Sequence, residues 1–166
     1  CEGIDMICIP GACAAITALV SSGLPSSSFV FEGFLPKKQI DREKILLEIS
    51  RNEKTTIIYE SPKRLKKLLK ELFEFCGGDR EIIVSRELTK KFEEHVGNNI
   101  NEVIEFFQKK DVIGEITLVI KGISKKRNLG LDKVIVKKDL DDLINAGLSL
   151  SAASKYLAKK NGVKKS

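Results

Sequence analysis

The chain has 166 residues, of which 42% are hydrophobic and 31% are charged, and it carries 29 Lys and Arg against 23 Asp and Glu. This composition is typical of a globular protein with one domain and a small appendage, and it excludes two full-sized domains. The longest apolar runs are far shorter than the roughly 18 residues of a membrane-spanning helix. Residues 125–166 hold 11 Lys and Arg against 4 Asp, so the excess of basic charge lies in the tail. Such a tail indicates either a phosphate-binding surface or a solubilising segment, and charge alone leaves both open.

The cysteines and the single histidine carry no recognisable chemistry. Cys1, Cys8, Cys13 and Cys76 lack the spacing of a zinc knuckle, which favours reduced thiols in a cytoplasmic protein over a disulfide framework or a metal site. His95 is the only histidine, and lone histidines are more often structural than catalytic. The chain begins with Cys1 rather than Met and lacks the order of a signal peptide, so we expect coding sequence upstream.

Hydrophobic periodicity, interrupted by Gly and Pro, predicts the elements of the first half of the chain. Residues 6–9 form a short apolar run before Pro10-Gly11 turns the chain, and the small residues after that turn favour a helix that stops at Gly23. Residues 29–34 alternate apolar and polar side chains, and residues 41–51 are charged with a stripe of Ile and Leu. We therefore predict, in order, a buried strand at 6–9, a helix at 12–22, a strand at 29–34 and a helix at 41–51.

The second half repeats this alternation of strands and helices. Ser61 suits the N-cap and Pro62 the first position of a helix that ends at Gly77-Gly78, and Asn99 suits the N-cap of a second helix. We predict strands at 55–59, 81–85 and 116–120, helices at 62–76 and 100–108, and an irregular stretch before Asn99. The alternation indicates a layered α/β domain over residues 1–124, followed over residues 125–166 by a basic linker and a small helical segment.

Three loops place polar groups at the ends of apolar segments, where open α/β sheets tend to bind ligands. They are Pro10-Gly11-Ala12, Glu60-Ser61-Pro62 with Arg64, and the stretch 86–90 (RELTK). Each loop alone also has a structural explanation: a turn, a helix cap and an exposed charge cluster. The residues by themselves therefore predict an α/β domain with a basic helical tail.

Four blocks of sequence resemble the C-terminal half of the ribosomal RNA small-subunit methyltransferase I family, within the tetrapyrrole methylase superfamily. The blocks are residues 9–15 (IPGACAA), 31–36 (FEGFLP), 59–64 (YESPKR) and 86–90 (RELTK), and residues 114–119 resemble the closing strand of the family. The resemblance spans nearly the whole chain, because residues 143–165 are similar to the family's helix-turn-helix-like C-terminus. The family's N-terminal domain has no counterpart here, and Lys63 stands where the family often has a histidine.

The resemblance implies an α/β fold with a mixed sheet flanked by helices and a small C-terminal helical segment. It implies transfer of a methyl group from S-adenosylmethionine to the ribose 2′-hydroxyl of a cytidine in small-subunit ribosomal RNA, without a metal, in a cytoplasmic homodimer. The alternatives are a methylase of another substrate within the superfamily, a non-catalytic RNA-binding module and an interaction or dimerisation domain.

Site residues follow from the resemblance together with the chemistry. A ribose hydroxyl needs a nearby base, for which Glu60 and Glu87 are candidates, with Lys90 or Arg86 holding a phosphate or an oxyanion. The alternative is that both glutamates form structural ion pairs with Arg64, Arg86 or Lys90. Tyr59 is either a flat surface for adenine or a packing residue at a strand end. The proposed donor-binding residues are Pro10, Gly11, Ala12, Ala14 and Tyr59, and the proposed RNA-binding residues are Ser61, Arg64, Arg86, Lys155, Lys159 and Lys160.

Overall fold

The computed structural model describes residues 6–123 and 133–160 of the chain. Strands and helices alternate, as the sequence predicts. In chain order they are α1 (Ala14–Ser22), β1 (Phe29–Phe34), α2 (Gln39–Arg51), β2 (Thr55–Glu60), α3 (Pro62–Cys76), β3 (Glu81–Arg86), β4 (Glu94–Asn99), α4 (Ile100–Gln108), β5 (Ile116–Ile120), α5 (Lys133–Asn145) and α6 (Leu150–Lys160).

The five strands form one mixed sheet in the order β1-β2-β5-β3-β4. β1 is parallel to β2, whereas β5 is antiparallel to both of its neighbours, β2 and β3. Strands β1, β2 and β3 therefore run in the same direction. β4, the outermost strand on that side of the sheet, pairs antiparallel with β3. The predicted α/β fold with a mixed sheet flanked by helices is confirmed.

Helices cover both faces of the sheet. Consecutive residues of a strand point to opposite sides, so the central strands place apolar side chains on both faces. Ile57 and Val119 face α1, where they pack with Ala15, Ala18 and Leu19. The alternate residues face the larger core beneath α2, α3 and α4, which includes Leu46, Ile58, Leu68, Leu72, Val84, Val103, Phe107 and Leu118. The sheet thus has a thin layer on one side and three helices on the other.

Several predicted helix ends are present in the structure. The Asn99 side chain accepts a hydrogen bond from the Glu102 amide at the start of α4, as its N-cap position predicts. Gly77 follows the last residue of α3 with a φ of 78°, and Gly23 follows α1 with a φ of 67°. Ser61 occupies the N-cap position of α3, but its side chain makes no capping hydrogen bond.

Two predictions of local structure are wrong. Residues 6–9 form no strand, and Met6 is 94% exposed, because within the described residues no neighbouring strand offers them a partner. The stretch predicted to be irregular contains β4, which pairs with β3 over its full length. This strand has only Val96 as a β-branched residue, so its sequence lacks the usual signal. Gly97 fits there because a Cβ atom would overlap the Ile83 side chain and the Ile82 carbonyl oxygen.

Helix α5 contacts α2 and α3, and α6 packs against α5. Asp139 of α5 forms an ion pair with Arg51 of α2 at 3.2 Å, and Lys138 forms one with Glu43 at 2.9 Å. A turn at Gly147, with a φ of 94°, separates the two helices. The predicted linker at 125–128 and the domain boundary at 124/125 lie outside the described residues. In the part of the chain that the structure describes, no helix combines the length and the apolarity needed to cross a membrane.

Candidate functional site

The strand-end loops at 60–62 and 86–90 come together at one edge of the sheet. Strands β2 and β3 run in the same direction on either side of β5, so their carboxyl ends, Glu60 and Arg86, both lie beside Ile116 at the start of β5. β1 is parallel to β2 and ends at the same edge. We call this edge, formed by the carboxyl ends of β1, β2 and β3, the carboxyl edge.

The N-terminus of α1 also lies at the carboxyl edge. The Ala15 amide donates a hydrogen bond of 3.0 Å to the Tyr59 hydroxyl, which joins the first turn of α1 to the penultimate residue of β2. Pro10, Gly11, Ala12 and Ala14 precede this contact and are exposed. The structure thus brings Ala15, the residue after Ala14, into contact with Tyr59, and residues 10–12 lie just before it along the chain.

Tyr59 belongs to an aromatic cluster on the α1 face of the sheet. Its ring packs edge-on against Phe31, with ring centroids 5.0 Å apart, and is tilted against Phe34 at 5.8 Å. Phe31 is 50% exposed and Phe34 62% exposed. The cluster therefore has both a packing role and an open apolar surface beside the start of α1.

Glu60 lies on the opposite face of the sheet from Tyr59, because adjacent strand residues alternate. Its side chain is fully buried, and Oε1 lies 2.7 Å from Arg64 Nε and accepts a 2.8 Å hydrogen bond from the Ser61 amide. Its Oε2 lies 3.5 Å from Nη2 of Arg42. This geometry favours the structural ion pair over a proton-accepting role for Glu60.

Arg42 and Glu71 are the members of this cluster that the sequence analysis did not find. Arg42 of α2 is 3% exposed and donates from Nε to Glu71 Oε2 of α3 at 2.8 Å. Its Nη2 lies 2.8 Å from the same oxygen. A charged residue inside a charged helix gives no sequence signal of burial, and its partner is 29 residues away. We call Arg42, Glu60, Arg64 and Glu71 the buried ion cluster.

Arg64 is the one member of the buried ion cluster that reaches the surface. Its side chain is 31% exposed, and its Nε is held by Glu60 and by the Ser61 hydroxyl, 3.2 Å away. Within residues 6–123 and 133–160, its Nη1 and Nη2 groups make no hydrogen bond. The guanidinium of Arg64 is therefore fixed at one nitrogen and open at two, next to the first turn of α3.

The loop after β3 has an unusual backbone that is fastened to residues 113–115. Glu87 and Thr89 adopt left-handed φ values of 53° and 64°, which is rare for side chains other than glycine. Glu87 Oε1 accepts hydrogen bonds from the Glu115 amide at 2.9 Å and from Lys90 Nζ at 3.0 Å. Its side chain occupies the space where a Cβ atom on Gly114 would lie. Strained backbone of this kind is frequent at functional sites.

The charges in this loop hold each other in their ionised forms. The hydrogen bond from the Glu115 amide, followed by that from Lys90, lowers the pKa of Glu87 below its usual value. The hydrogen bonds to Glu87 and Glu115 raise the pKa of Lys90. A carboxylate with a lowered pKa is a weaker proton acceptor, so these contacts suit an anchoring role for Glu87.

Arg86 makes only structural contacts with its described neighbours. Its Nε lies 3.1 Å from Glu94 Oε2 on β4, and its Nη1 donates to the Ile113 carbonyl oxygen at 3.2 Å. Lys110 binds the other oxygen of Glu94 and lowers the pKa of that carboxyl group. Arg86 thus ties β3 to β4 and to the loop before β5.

The remaining predicted residues lie elsewhere. Lys155 and Lys159 are exposed on α6, whereas the side chain of Lys160 lies outside the described residues. Within the described part of the chain, no three His, Cys, Asp or Glu side chains converge as metal ligands would. His95 bridges the Ser85 hydroxyl at 2.9 Å and Glu93 at 2.8 Å, which suits a structural role between β3 and β4.

The chain belongs to the tetrapyrrole (corrin/porphyrin) methylase family, whose model matches residues 1–104. Curated relatives narrow the resemblance to ribosomal RNA small subunit methyltransferase I. The relative of that name from Synechocystis is 39% identical over 155 residues, covering 93% of this chain and 56% of the relative. The one from Vibrio cholerae is 45% identical over 122 residues, covering 72% and 42%. The one from Halalkalibacterium halodurans is 36% identical over 167 residues, covering 99% and 57%. The chain spans about half the length of the relatives it matches.

Solved structures share the fold at lower sequence identity. The methyltransferase CobJ superposes with a TM-score of 0.57 at 19% identity, covering 73% of this chain and 52% of its own. A cobalt precorrin-4 methyltransferase of cobalamin biosynthesis superposes with a TM-score of 0.55 at 15% identity, covering 72% and 53%. The family match and the curated relatives confirm the predicted resemblance to the tetrapyrrole methylases, and these structures share its fold.

Proposed function

We propose that this chain is part of an S-adenosylmethionine-dependent methyltransferase that modifies small-subunit ribosomal RNA, on the ribose 2′-hydroxyl of a cytidine. The observation that carries the proposal is the convergence of three sequence blocks at the carboxyl edge. A domain that serves only for packing has no need to gather the start of α1, Glu60-Ser61-Pro62 and the loop after β3 at one edge. The names of the curated relatives supply the substrate class.

The residues at the start of α1 fit a bound methyl donor. Residues 10–14 are exposed, and a Cβ on Gly11 would meet nothing within 4 Å, so a ligand has room to approach the backbone there. Phe31, Phe34 and Tyr59 offer an apolar aromatic surface beside it. We propose Pro10, Gly11, Ala12, Ala14 and Tyr59 as one wall of the donor site.

The donor, when bound, supplies an electrophilic methyl group on a sulfonium sulfur. The task of the protein is then to hold the ribose oxygen in line with the carbon–sulfur bond, where positioning contributes several kcal/mol. As the new oxygen–carbon bond forms and the carbon–sulfur bond breaks, the hydroxyl proton passes to a base. We propose that Arg64, with Ser61 beside it, holds a phosphate of the acceptor strand, since two of its nitrogens are open.

Among the predicted catalytic residues, Lys90 has the most accessible side chain. Its raised pKa keeps it cationic at neutral pH, so it stabilises negative charge on the acceptor oxygen or on a phosphate. Glu87 remains the candidate base at the surface, with its anchoring role as the alternative. Glu60 acts as a positioning residue that holds Arg64, because its carboxylate is buried, with Oε1 bound by Arg64 and Oε2 3.5 Å from Arg42 Nη2.

The test uses the protein completed by its upstream coding sequence. Small-subunit RNA and tritium-labelled S-adenosylmethionine are supplied, and incorporation into ribose is measured. We expect Lys90→Ala to lower the rate at least tenfold, and Lys91→Ala, which removes a neighbouring exposed lysine, to leave it within twofold. Wild-type activity in a protein carrying both Glu60→Gln and Glu87→Gln would eliminate a base role for either glutamate. Absence of any transfer to RNA by the completed wild-type protein would refute the proposal.

We also expect a homodimer, which sedimentation of the same preparation measures. A cytoplasmic location is expected from the RNA substrate. A non-catalytic RNA-binding module would bind RNA yet show no affinity for S-adenosylmethionine by calorimetry. A methylase of another substrate would bind the donor and leave RNA unlabelled.

A further inference from the structure

Helix α6 has two distinct faces. Ala153 and Leu157 are buried, and α6 packs against α5, so its apolar side is already covered. At about 100° per residue, Lys155 and Lys159 lie roughly opposite Ala153 and Leu157 on the helical wheel, Tyr156 lies on the flank between the two sides, and all three are exposed. The sequence of α6 (LSAASKYLAKK) contains no acidic residue. The exposed side is therefore a basic surface with an aromatic ring at its border.

Tyr156 is the unusual member of this surface. Its side chain is 55% exposed, although an aromatic residue of a small helix is normally used for packing. Within the described residues it makes no hydrogen bond, ring contact or cation–π contact. Lys155 precedes it, and Lys159 lies one turn further along α6. The ring is thus presented to solvent at the border of the basic surface, about 60° from Lys159 on the helical wheel.

An exposed ring beside cations matches the chemistry of an unpaired nucleotide. A base stacks on an aromatic face, and neighbouring phosphates are neutralised by lysines, which is the usual way that proteins bind single-stranded nucleic acid. A duplex keeps its bases stacked on each other and offers the ring nothing to stack on. An anionic membrane fits less well, because an interfacial helix inserts its apolar face and that face of α6 is covered by α5.

We propose that the exposed face of α6 binds single-stranded RNA, with Tyr156 stacking on one unpaired base and Lys155 and Lys159 contacting the adjacent phosphates. The proposal deepens the function proposed above and rests on it for the choice of RNA over DNA. The surface belongs to α6, which packs against α5, whereas the aromatic cluster of Tyr59 lies on the α1 face of the sheet. It therefore binds the substrate RNA at a second point, on an element other than those that form the carboxyl edge.

The test measures binding of the full 166-residue chain to a labelled 12-nucleotide single-stranded RNA and to a duplex of the same sequence by fluorescence anisotropy. We expect Tyr156→Ala to weaken single-strand binding about tenfold while leaving duplex binding within twofold. Tyr156→Phe keeps the ring and should stay within twofold of the wild type on both. Leu150→Ala, which removes an exposed apolar side chain from the same helix, is the matched control and should change neither. Circular dichroism checks that each variant is folded.

The salt dependence separates stacking from charge. Tyr156→Ala should leave the slope of log affinity against log salt unchanged, whereas Lys155→Ala should reduce it by about 0.7, the value for one phosphate contact on a single strand. Equal losses on single strand and duplex, or a loss with Tyr156→Phe as large as with Tyr156→Ala, would overturn the proposal. Binding to phosphatidylserine vesicles that depends on Tyr156, without a Tyr156 effect on RNA, would overturn it in favour of a membrane.

The outcomes distinguish this inference from the proposed function. Tyr156-dependent RNA binding in a completed protein that transfers no methyl group to RNA refutes only the function. Methyl transfer to RNA that is indifferent to Tyr156→Ala, both in its KM for RNA and in binding, refutes only the role of α6.

Discussion

Replacing Arg42 by methionine tests whether the buried ion cluster stabilises the fold. The guanidinium lies 2.8 Å from Glu71 Oε2 and 3.5 Å from Glu60 Oε2, and the side chains of the three residues are 4%, 10% and 0% exposed. Methionine fills much of the same volume but leaves two buried carboxylates without their shared cation. Removing one partner of a buried pair typically costs about 3–5 kcal/mol.

The expected loss for Arg42→Met lies near the lower end of that range. Glu60 keeps Arg64 at 2.7 Å, and Glu71 keeps the more exposed Lys67 at 3.6 Å, so each remaining charge is partly balanced. We therefore expect the free energy of unfolding to fall by about 3 kcal/mol, against a total of about 5–15 kcal/mol for a domain. Urea unfolding followed by circular dichroism at pH 7 measures the change.

Two further variants make this prediction sharp. Arg51→Met on the same helix breaks the exposed pair with Asp139 and should cost at most about 1 kcal/mol. Adding Glu71→Met to Arg42→Met replaces both partners by apolar side chains and should recover most of the loss. Two results would refute the reasoning: a loss in free energy of unfolding for Arg42→Met no larger than for Arg51→Met, or losses at positions 42 and 71 that simply add. Either would show that the buried ion cluster contributes no more to stability than an exposed ion pair does.

Three other predictions concern the carboxyl edge. Gly114→Ala should destabilise the protein by roughly 1–3 kcal/mol, because φ is 93° and the Glu87 side chain fills the Cβ position, whereas Gly11→Ala, with open space around it, should be nearly neutral in thermal melting. Tyr59→Phe removes the acceptor of the Ala15 amide and should cost about 0.5–1.5 kcal/mol and speed hydrogen exchange at that amide. Because the pKa of Glu87 is lowered in the folded state, its contribution is present above the unfolded value of 4.5 and is lost as pH falls through the folded pKa. Acid titration of stability should therefore be shallower in Glu87→Gln, and an unchanged profile would contradict the assignment.

Most of the fold follows from local sequence signals. Strands such as β2 and β5 are runs of β-branched and apolar residues, and α3 combines a Ser-Pro start, a leucine stripe and a terminal glycine. These signals act within one element and need no knowledge of the rest. β4 was missed because an edge strand buries little, so polar residues and Gly97 suffice when β3 provides the hydrogen bonds. The prediction of a strand at 6–9 was wrong because a run of apolar residues indicates burial but does not show which neighbouring strand would pair with it.

The candidate site was predictable in its loops and less so in its side-chain geometry. The blocks around Gly11, Tyr59 and Arg86 were found in sequence, and the sheet order explains why the latter two lie at one edge. Strand alternation places Glu60 on the face opposite Tyr59, whereas the blocks themselves indicate only that both residues lie at the strand end. Arg42 was out of reach, because its burial depends on a contact between helices that sequence spacing does not encode. The roles of Glu87 and Lys90 stay predictions.

The position of β5 has a consequence for how the chain is made. Among the described residues β5 is the last strand along the chain, yet it joins β2 to β3 at the centre of the sheet. Until residue 120 has left the ribosome, the nascent chain can form only two separate strand pairs, β1–β2 and β3–β4. The backbone N–H and C=O groups of β2 and β3 that later pair with β5 are then without strand partners. A chain that ends before β5 would therefore be prone to aggregate rather than form a smaller folded domain. Folding of this sheet is complete only once the five residues of β5 have been made.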